Sequence, residues 1–111
     1  MPARSAVRQT LVVLVTCPSR RVGNRLARTL VEERLAACVN VIPGLTSIYR
    51  WEGKISRDAE VLLVVKTRRA RLAALTRRVQ TLHPYTVPEI IAIPLAGGSA
   101  SYLSWVGDAT S

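Results

Sequence analysis

Three side chains in this sequence are of types that bind transition metals: the single histidine, His83, and the two cysteines, Cys17 and Cys38. An imidazole nitrogen suits Cu(II) or Zn(II), and a thiolate suits Cu(I). The spacing of the three residues is not that of a preformed metal site, so any site must be assembled by the fold, and no cofactor is required. The alternatives are that His83 only stops a helix and that each cysteine is a small buried side chain.

Cys17 also raises the question of an enzyme, because Arg20 and Arg21 follow it at a predicted helix start and helix N-termini bind phosphate. In the phosphatase loop, however, the arginine stands at a spacing from the cysteine that here falls on Gly23. The sequence has no second histidine and no base close to Cys17 to activate it as a nucleophile. We therefore expect a protein that is not an enzyme.

Hydrophobic periodicity predicts the elements that must position these residues. They are, in order, a strand over 10–16, a helix that Ser19 caps, a long hairpin with a leading strand over 37–51 and a returning strand that includes 60–67, a helix with the stripe Leu72, Leu75, Val79 and Leu82, a strand over 89–94 and a short helix that Ser99 caps. Right-handed crossovers turn this order into an α+β, ferredoxin-like split βαβ fold, with an antiparallel sheet and both main helices on one face. We expect one domain over residues 1–111, with an ordered core at about 9–107 and flexible ends.

The hairpin is too long for one small domain to cover. At about 3.3 Å per residue its leading strand, interrupted only by Pro43 and Gly44, reaches roughly 50 Å. A helix of about fifteen residues covers only about 22 Å of it. The outer half, with Tyr49 and Trp51 on one face, should therefore project beyond its own core and form an interface with a partner.

The sheet itself also calls for a partner. Residues 11–15, 61–65 and 90–93 are apolar on both faces of their strands, whereas two helices cover only one face. Burial of a Val, Leu or Ile contributes about 1.5–3 kcal/mol, so six or more of them left in water would forfeit on the order of 10 kcal/mol. A stable oligomer follows, although periodicity does not choose between a dimer and a trimer.

Several polar and aromatic residues lie where such an oligomer could form a cleft. Lys66 and Thr67 end the third strand, and Tyr85 and Glu89 lie in the loop into the fourth. With Trp51 or Trp105 from another subunit, they are predicted to line an intersubunit cleft for a small anionic or metal ligand, because such pockets combine aromatic walls with a few polar groups. The alternative is that the aromatic residues only anchor the interface.

Composition gives weaker indications of partner and location. Sixteen Lys and Arg against seven Asp and Glu give a formal charge of +9, which favours anionic partners. RNA-recognition domains of the same fold order read bases with aromatic residues on strands one and three, and residues 11–15 and 61–65 contain none, so a nucleic-acid partner is not expected. The apolar stretch 11–15 is too short for a signal peptide, and no run approaches a membrane span of about 20 residues. We expect a cytoplasmic protein with no membrane partner.

Read together, several segments of the chain closely resemble the CutA divalent-cation tolerance family. They are residues 35–40, 47–54, 60, 66–67, 83–85, 88–89 and 102–105. The resemblance implies a homotrimer of ferredoxin-like subunits, cytoplasmic in bacteria, linked to tolerance of divalent metals, copper above all, with the hairpin extending a neighbour's sheet. Cys17 departs from the pattern, since the family commonly has a small residue between Thr16 and Pro18, so the resemblance assigns Cys17 no copper role. The alternative function is a trimeric ligand-sensing regulator or interaction scaffold, similar in fold to the PII signalling proteins.

Overall fold

Four strands form one sheet in this computed structural model, which describes residues 3–111: β1 (Thr10–Cys17), β2 (Cys38–Trp51), β3 (Lys54–Arg68) and β4 (Ile90–Pro94). The helices are α1 (Ala3–Gln9), α2 (Arg20–Glu32), α3 (Leu72–Leu82) and α4 (Ala100–Ala109), and a 3-10 turn over Arg69–Arg71 leads into α3. The strand order is β2-β3-β1-β4, with every neighbouring pair antiparallel. The predicted α+β fold class is confirmed.

The helix boundaries follow from local capping chemistry. The Ser19 Oγ accepts a hydrogen bond from the Val22 N–H at 3.2 Å, and the Ser99 Oγ accepts one from the Tyr102 N–H at 3.4 Å, so both predicted N-caps are present. α2 ends where Arg34 adopts a φ of 59° and the Leu35 N–H donates to the Leu30 carbonyl at 2.9 Å. This is the backbone pattern of a Schellman motif, with an arginine where glycine is usual.

The core lies between the sheet and the two helices α2 and α3. Alternation along the strands directs Val13 and Val15 of β1 and Leu63 and Val65 of β3 to this side, where all four are fully buried. Leu26 and Leu30 of α2, with Leu75 and Val79 of α3, close the same cluster from above. The helical stripes predicted from sequence therefore face the core.

The opposite face of the sheet, which we call the open face, stays apolar and incompletely covered. Val12 and Leu14 of β1 pair with Lys66 and Val64 of β3 on this side and are only half-buried. Ile42, Ile91 and Ile93 also face this side, and between 44% and 52% of each side chain is exposed. The chain thus leaves on its surface the second apolar sheet face that the sequence predicted.

The hairpin of β2 and β3 extends well beyond the helices, and the longest dimension of the chain is 48 Å. Its tip is a two-residue turn in which Glu52 and Gly53 both have positive φ, 49° and 77°. Positive φ at both central residues is the mark of a type I′ turn, whose twist matches that of the flanking strands. Ile48, Trp51 and Ile55 on the outer part of the hairpin are all about half exposed or more.

A β-bulge lies in the middle of β2. Ile42 pairs with Leu62 and Leu45 pairs with Glu60, so β2 carries one residue more than β3 between these pairs. Pro43 provides no N–H for the ladder, and Gly44 has a φ of 88° that glycine adopts at little cost. Because side chains alternate across a strand, the extra residue directs Ser47, Tyr49 and Trp51 to the open face.

Two helices at the chain ends pack against each other and against the base of β1 and β3. α1 was not predicted, and its last turn is tied to β1 by a 2.7 Å hydrogen bond from the Thr10 Oγ1 to the Ala6 carbonyl. α4 buries Leu103 and Val106, and the Arg68 guanidinium bonds the hydroxyl and carbonyl of Thr110 just beyond it, at 2.8 and 2.5 Å. Within residues 3–111, no helix combines the length and apolar character needed to cross a membrane.

Candidate functional site

A cavity of about 630 Å³ opens on the open face at the end of the sheet where β1 finishes. One wall comes from the hairpin, through Tyr49 and Trp51, and the other comes from the loop between α3 and β4, through Tyr85 and Glu89. Thr16 of β1 and Glu60 of β3 form the floor. The bulge in β2 is what brings Tyr49 and Trp51 to this side of the sheet.

Glu60 is the buried acid of the cavity, since only 7% of the residue is exposed. Its Oε2 accepts a 2.8 Å hydrogen bond from the Tyr85 hydroxyl. Burial, and then this hydrogen bond to Glu60, raises the pKa of Tyr85 well above its ordinary value, so the phenol remains a donor. No donor among the described residues bonds the Glu60 Oε1. Every fully buried polar side-chain atom in those residues has a hydrogen-bond partner, so Oε1 is not fully buried. It therefore faces the cavity that Glu60 lines.

A second tyrosine–carboxylate pair lies beside the first on the hairpin. The Tyr49 hydroxyl donates a short hydrogen bond to Oδ2 of Asp58. That bond is the main reason the pKa of Tyr49 is raised. Asp58 and Glu60 share one face of β3 two residues apart, so their carboxyl groups follow one another along the hairpin at a backbone spacing of about 7 Å.

His83 holds the loop that forms the second wall. Its Nε2 lies 2.7 Å from the Thr16 carbonyl, and its Nδ1 accepts a 3.1 Å hydrogen bond from the Tyr85 N–H. Because a backbone N–H can only donate, Nδ1 carries the lone pair and Nε2 carries the proton. The ring is buried, and its two contacts link the end of β1 to the loop that carries Tyr85.

Among residues 3–111, the acids at the cavity form no ion pair with arginine. The ion pairs found within residues 3–111 join Arg28 to Glu32 and Arg78 to Glu33, on the helical side of the molecule. Asp58, Glu60 and Glu89 take part in neither. A chain with a net charge of +9 therefore gathers three of its seven acids around one cavity.

Comparison with known proteins agrees with this architecture. The family model described as CutA1 divalent ion tolerance protein matches residues 11–109. The chain belongs to the CutA1 divalent ion tolerance family. The divalent-cation tolerance protein CutA of Thermus thermophilus is 57% identical over 99 residues, which are 89% of this chain and 96% of that protein. The chloroplastic protein CutA of Arabidopsis thaliana is 50% identical over 91% of this chain but only 56% of its own length.

Solved structures of CutA proteins superpose closely on the chain. The Thermus thermophilus structure gives a TM-score of 0.90 at 55% identity and covers 92% of this chain and 99% of its own. CutA1 from Oryza sativa gives 0.91 at 48% identity, with 96% and 97% covered. The resemblance to the CutA family found in the sequence is thus confirmed.

In this CutA1 family member, the residues predicted to line one cleft lie in two places. Trp51, Tyr85 and Glu89 do line the cavity. Lys66 and Thr67 do not: Lys66 pairs with Val12 and bonds Asn40, and Thr67 is fully buried with its hydroxyl donating to the Leu35 carbonyl at 2.6 Å. Within one chain these residues do not form a single group, and the cleft between subunits stays a prediction.

The physical reason for this separation is the crossover. β3 and β4 both run antiparallel to β1 and so are parallel to each other, which obliges α3 to carry the chain back to the opposite end of the sheet. Lys66 lies six residues beyond Glu60 on β3, about 20 Å away. Trp105 lies on α4, where the centroid of its ring is 5.5 Å from that of Tyr102. Burial, and then the nearby Cys38, raises the pKa of Tyr102.

Of the three predicted metal ligands, His83 contacts the Thr16 carbonyl beside Cys17 at the end of β1, whereas Cys38 lies apart at the start of β2. Cys17 pairs with Val61 in the middle of β3, and Cys38 pairs with Lys66 near its end. Cys17 is fully buried on the helix side, and burial followed by the charge of Glu60 raises its pKa to about 11. Among the described residues, no group of three or more His, Cys, Asp or Glu side chains is arranged to hold a metal ion.

The sequence interpretation missed Asp58 and the role of Glu60 as the floor of the cavity. The sequence feature that could identify them is a pair of acids two residues apart on one strand face, next to aromatic residues on the partner strand. This feature is ambiguous, because an exposed hairpin normally carries such charges for solubility. In the folded chain, the loop that His83 anchors and the hairpin together enclose Glu60.

Proposed function

We propose that this chain acts in tolerance of divalent metal ions, copper in particular, as a cytoplasmic homotrimer without catalytic activity. Membership of the CutA1 family supports the general role. The observation that carries the ligand proposal is the acidic cavity next to His83 in an otherwise basic chain. Acidic groups without basic partners favour a positively charged ligand.

The trimer is supported by the apolar surface that one chain leaves uncovered. Ile91 and Ile93 on β4 and Ile42 on β2 are each about half exposed on the open face. Full burial of a large apolar side chain contributes about 1.5–3 kcal/mol, and roughly half of this would be recovered for each of these half-exposed residues once a neighbouring subunit covers it. In the proposed trimer, Tyr49 and Trp51 of the hairpin also contact the neighbouring sheet.

His83 is the first proposed metal ligand. Metal-binding histidines commonly donate their second N–H to a carbonyl, which is what Nε2 of His83 does to Thr16. Nδ1 is then the coordinating atom, and it becomes free when the Tyr85 N–H moves away. Cys38, which is half-buried, is the proposed thiolate ligand for Cu(I), whereas Cys17 must first lose a proton held at a raised pKa.

The proposed cleft is completed across subunits. Trp51, Tyr85 and Glu89 line the cavity of one chain. Lys66 and Trp105 of a neighbouring subunit are the proposed remaining members, because Lys66 is half-buried and Trp105 is exposed. Thr67 would act by supporting the backbone at Leu35, since its hydroxyl is already bonded there.

A second candidate is a PII-like trimeric regulator or scaffold that senses a small molecule. The specific observation in its favour is the size of the cavity, about 630 Å³, which is within the range of small-molecule pockets and far larger than a bare metal ion. It would signal through a partner protein rather than by retaining metal.

The test is a titration of the purified, reduced protein with Cu(I), Cu(II) and Zn(II), with light scattering on the same samples. We expect a particle three times the 12.2 kDa of the chain. His83→Ala should weaken Cu(II) and Zn(II) binding and Cys38→Ser should weaken Cu(I) binding, whereas Glu33→Gln on the helical side should change neither. Metal binding that ignores both substitutions would reject the ligand assignment, and a stable 12 kDa particle would reject the trimer.

A further inference from the structure

We propose that the outward side of α2 and α3 binds the phosphate backbone of a nucleic-acid duplex without reading its base sequence. We call this surface the basic face, and its residues are Arg20, Arg21, Arg25 and Arg28 of α2 and Arg77 of α3. The two helices lie on the side of the sheet opposite the open face, so a neighbouring subunit that covers the open face and the hairpin leaves the basic face exposed. The inference depends neither on the cavity nor on metal binding.

The first support is the spacing and exposure of the arginines. Arg21, Arg25 and Arg28 recur four and three residues apart, opposite the stripe of α2 that packs in the core, and all three are exposed. At 1.5 Å per residue they follow the helix axis for about 10 Å. Arg77 is exposed on the outward side of the neighbouring helix α3. The positive charge is therefore arranged as one continuous surface.

The second support is the lack of acidic partners for most of these side chains. The ion pairs and hydrogen bonds that arginine side chains of α2 and α3 form within residues 3–111 belong to Arg28 and Arg78. The other guanidinium groups of the basic face keep their donors for a ligand, namely those of Arg20, Arg21, Arg25 and Arg77. A guanidinium group presents paired donors in the geometry that binds two phosphate oxygens at once.

The third support is that the charges of α2 oppose its helix dipole. The helix begins with Arg20 and Arg21 and has no acid in its first turn, whereas Glu32 is its last residue. Cations are unfavourable near a helix N-terminus and anions near a C-terminus. Arg21 and Arg25, one turn apart, also repel each other. Because this order lowers the stability of the helix, folding does not account for it, whereas binding of a polyanion does.

The chemistry of the surface favours a nucleic acid over other anionic partners. Among the described residues of α2 and α3, Val31 is the one large apolar side chain that is exposed. Helices bind anionic membranes through apolar side chains that enter the lipid, and protein partners are anchored by aromatic or aliphatic side chains. Phosphate contacts need neither, and a duplex carries one charge per about 1.7 Å of its axis.

The expectation of no nucleic-acid partner rests on the lack of aromatic side chains on β1 and β3. That feature concerns the recognition of bases on the sheet. Contacts with phosphates fix a protein on a duplex and carry no sequence information, so they need no aromatic side chain. The two helices offer such contacts on the other side of the molecule.

The experiment is a fluorescence anisotropy titration of a fluorescein-labelled DNA duplex of about 20 base pairs with the full chain, at salt concentrations from about 50 to 200 mM. We expect equal affinity for two duplexes of unrelated sequence and a steep loss of affinity with salt. Arg21→Gln/Arg25→Gln should weaken binding about tenfold at the lowest salt and reduce the salt slope by about 2. The matched control, Arg4→Gln/Arg8→Gln, removes the same charge from α1 and should change the affinity by less than about twofold.

A second variant tests the other helix. Arg77→Gln on α3 should weaken duplex binding about threefold. Arg21→Gln/Arg25→Gln removes charges that oppose the helix dipole, so it should unfold at a temperature no lower than that of wild type, and its lost affinity then comes from the basic face itself. Equal losses in the α1 control, no duplex binding at about 50 mM salt, or binding only to vesicles of phosphatidylserine and phosphatidylcholine would overturn the inference.

The same variants separate this inference from the proposed function. Arg21→Gln/Arg25→Gln should leave Cu(II) binding unchanged, and His83→Ala should leave duplex binding unchanged. Loss of duplex binding in His83→Ala would overturn the assignment to the basic face. Metal binding that ignores His83 and Cys38 would remove the metal ligands and leave this inference standing.

Discussion

The Tyr85 hydroxyl donates a 2.8 Å hydrogen bond to the Glu60 carboxylate, and this contact joins the loop after α3 to the middle of β3. Glu60 is buried and Tyr85 is half-buried, so the bond is partly shielded from water. It closes the cavity on the side away from the hairpin. The stability of the loop and the shape of the site therefore depend on this pair as well as on the contacts of His83.

Replacing Tyr85 by phenylalanine should destabilise the fold by about 1.5–3 kcal/mol, because a hydrogen bond to a charged group is lost and Glu60 stays buried. The free energy of unfolding in urea measures this. The matched control is the same change made in a Glu60→Gln background, where the loss should be smaller because no charge is left without its donor. Equal losses in both backgrounds would contradict a coupling between the two side chains.

Alkaline pH should destabilise the protein through Cys17, whose pKa is raised from 9.0 to about 11 by burial and then by Glu60. Below pH 9 the thiol is protonated in both the folded and the unfolded state, so the full stability is present. Between pH 9 and 11 the unfolded chain releases the proton first, and stability falls by on the order of 2 kcal/mol.

Unfolding in urea at several pH values in a reducing buffer measures this fall. Cys17→Ala should reduce it, and Cys38→Ala, at the other end of the sheet, should not. The raised pKa values of Tyr49 and Tyr85 add a further fall above pH 10 that both variants retain. An identical pH dependence in wild type and Cys17→Ala would reject the assignment to the thiol.

A charge on the open face should dissociate the proposed oligomer. Ile91 is 52% exposed in one chain, so Ile91→Asp should leave the fold of the subunit intact while placing a carboxylate in the interface. Light scattering should then report a 12.2 kDa particle. Val31 on α2 is 41% exposed, and Val31→Asp should leave the oligomer unchanged. A persistent oligomer of Ile91→Asp would show that this face is not the interface.

The hairpin turn can be stabilised by choosing a residue that tolerates positive φ. Glu52 has a φ of 49° in the type I′ turn, a conformation that asparagine adopts more readily than glutamate. Glu52→Asn should therefore raise the free energy of unfolding by about 0.5 kcal/mol, and Glu52→Val, which is β-branched, should lower it. Thermal unfolding of the two variants measures both changes. Equal unfolding temperatures would show that the turn frays in solution and that the φ of residue 52 does not affect stability.

Much of the fold could be predicted because its signals are local. Ser19 and Ser99 act as the predicted caps, and the double-sided apolar strands do leave an uncovered face. α1 was missed because its seven residues offer no apolar stripe and no acidic first turn. Trp51, Tyr85 and Glu89 line one cavity of the same chain, whereas the sequence interpretation took Trp51 from a neighbouring subunit. Lys66 and Thr67 lie away from them in the chain because α3 returns the chain to the opposite sheet end, which sequence order does not show.

The sequence by itself determined that Tyr49 and Trp51 share a face, because residues two apart on a strand always do. Which face they share was decided only in the tertiary structure, where the bulge between Ile42 and Leu45 adds one residue to β2. An uninterrupted strand would have directed both side chains to the face of Val39 and Val41, away from Glu60. Strand register is set by pairing with β3, a contact between distant parts of the chain, and so the cavity exists only once the sheet has formed.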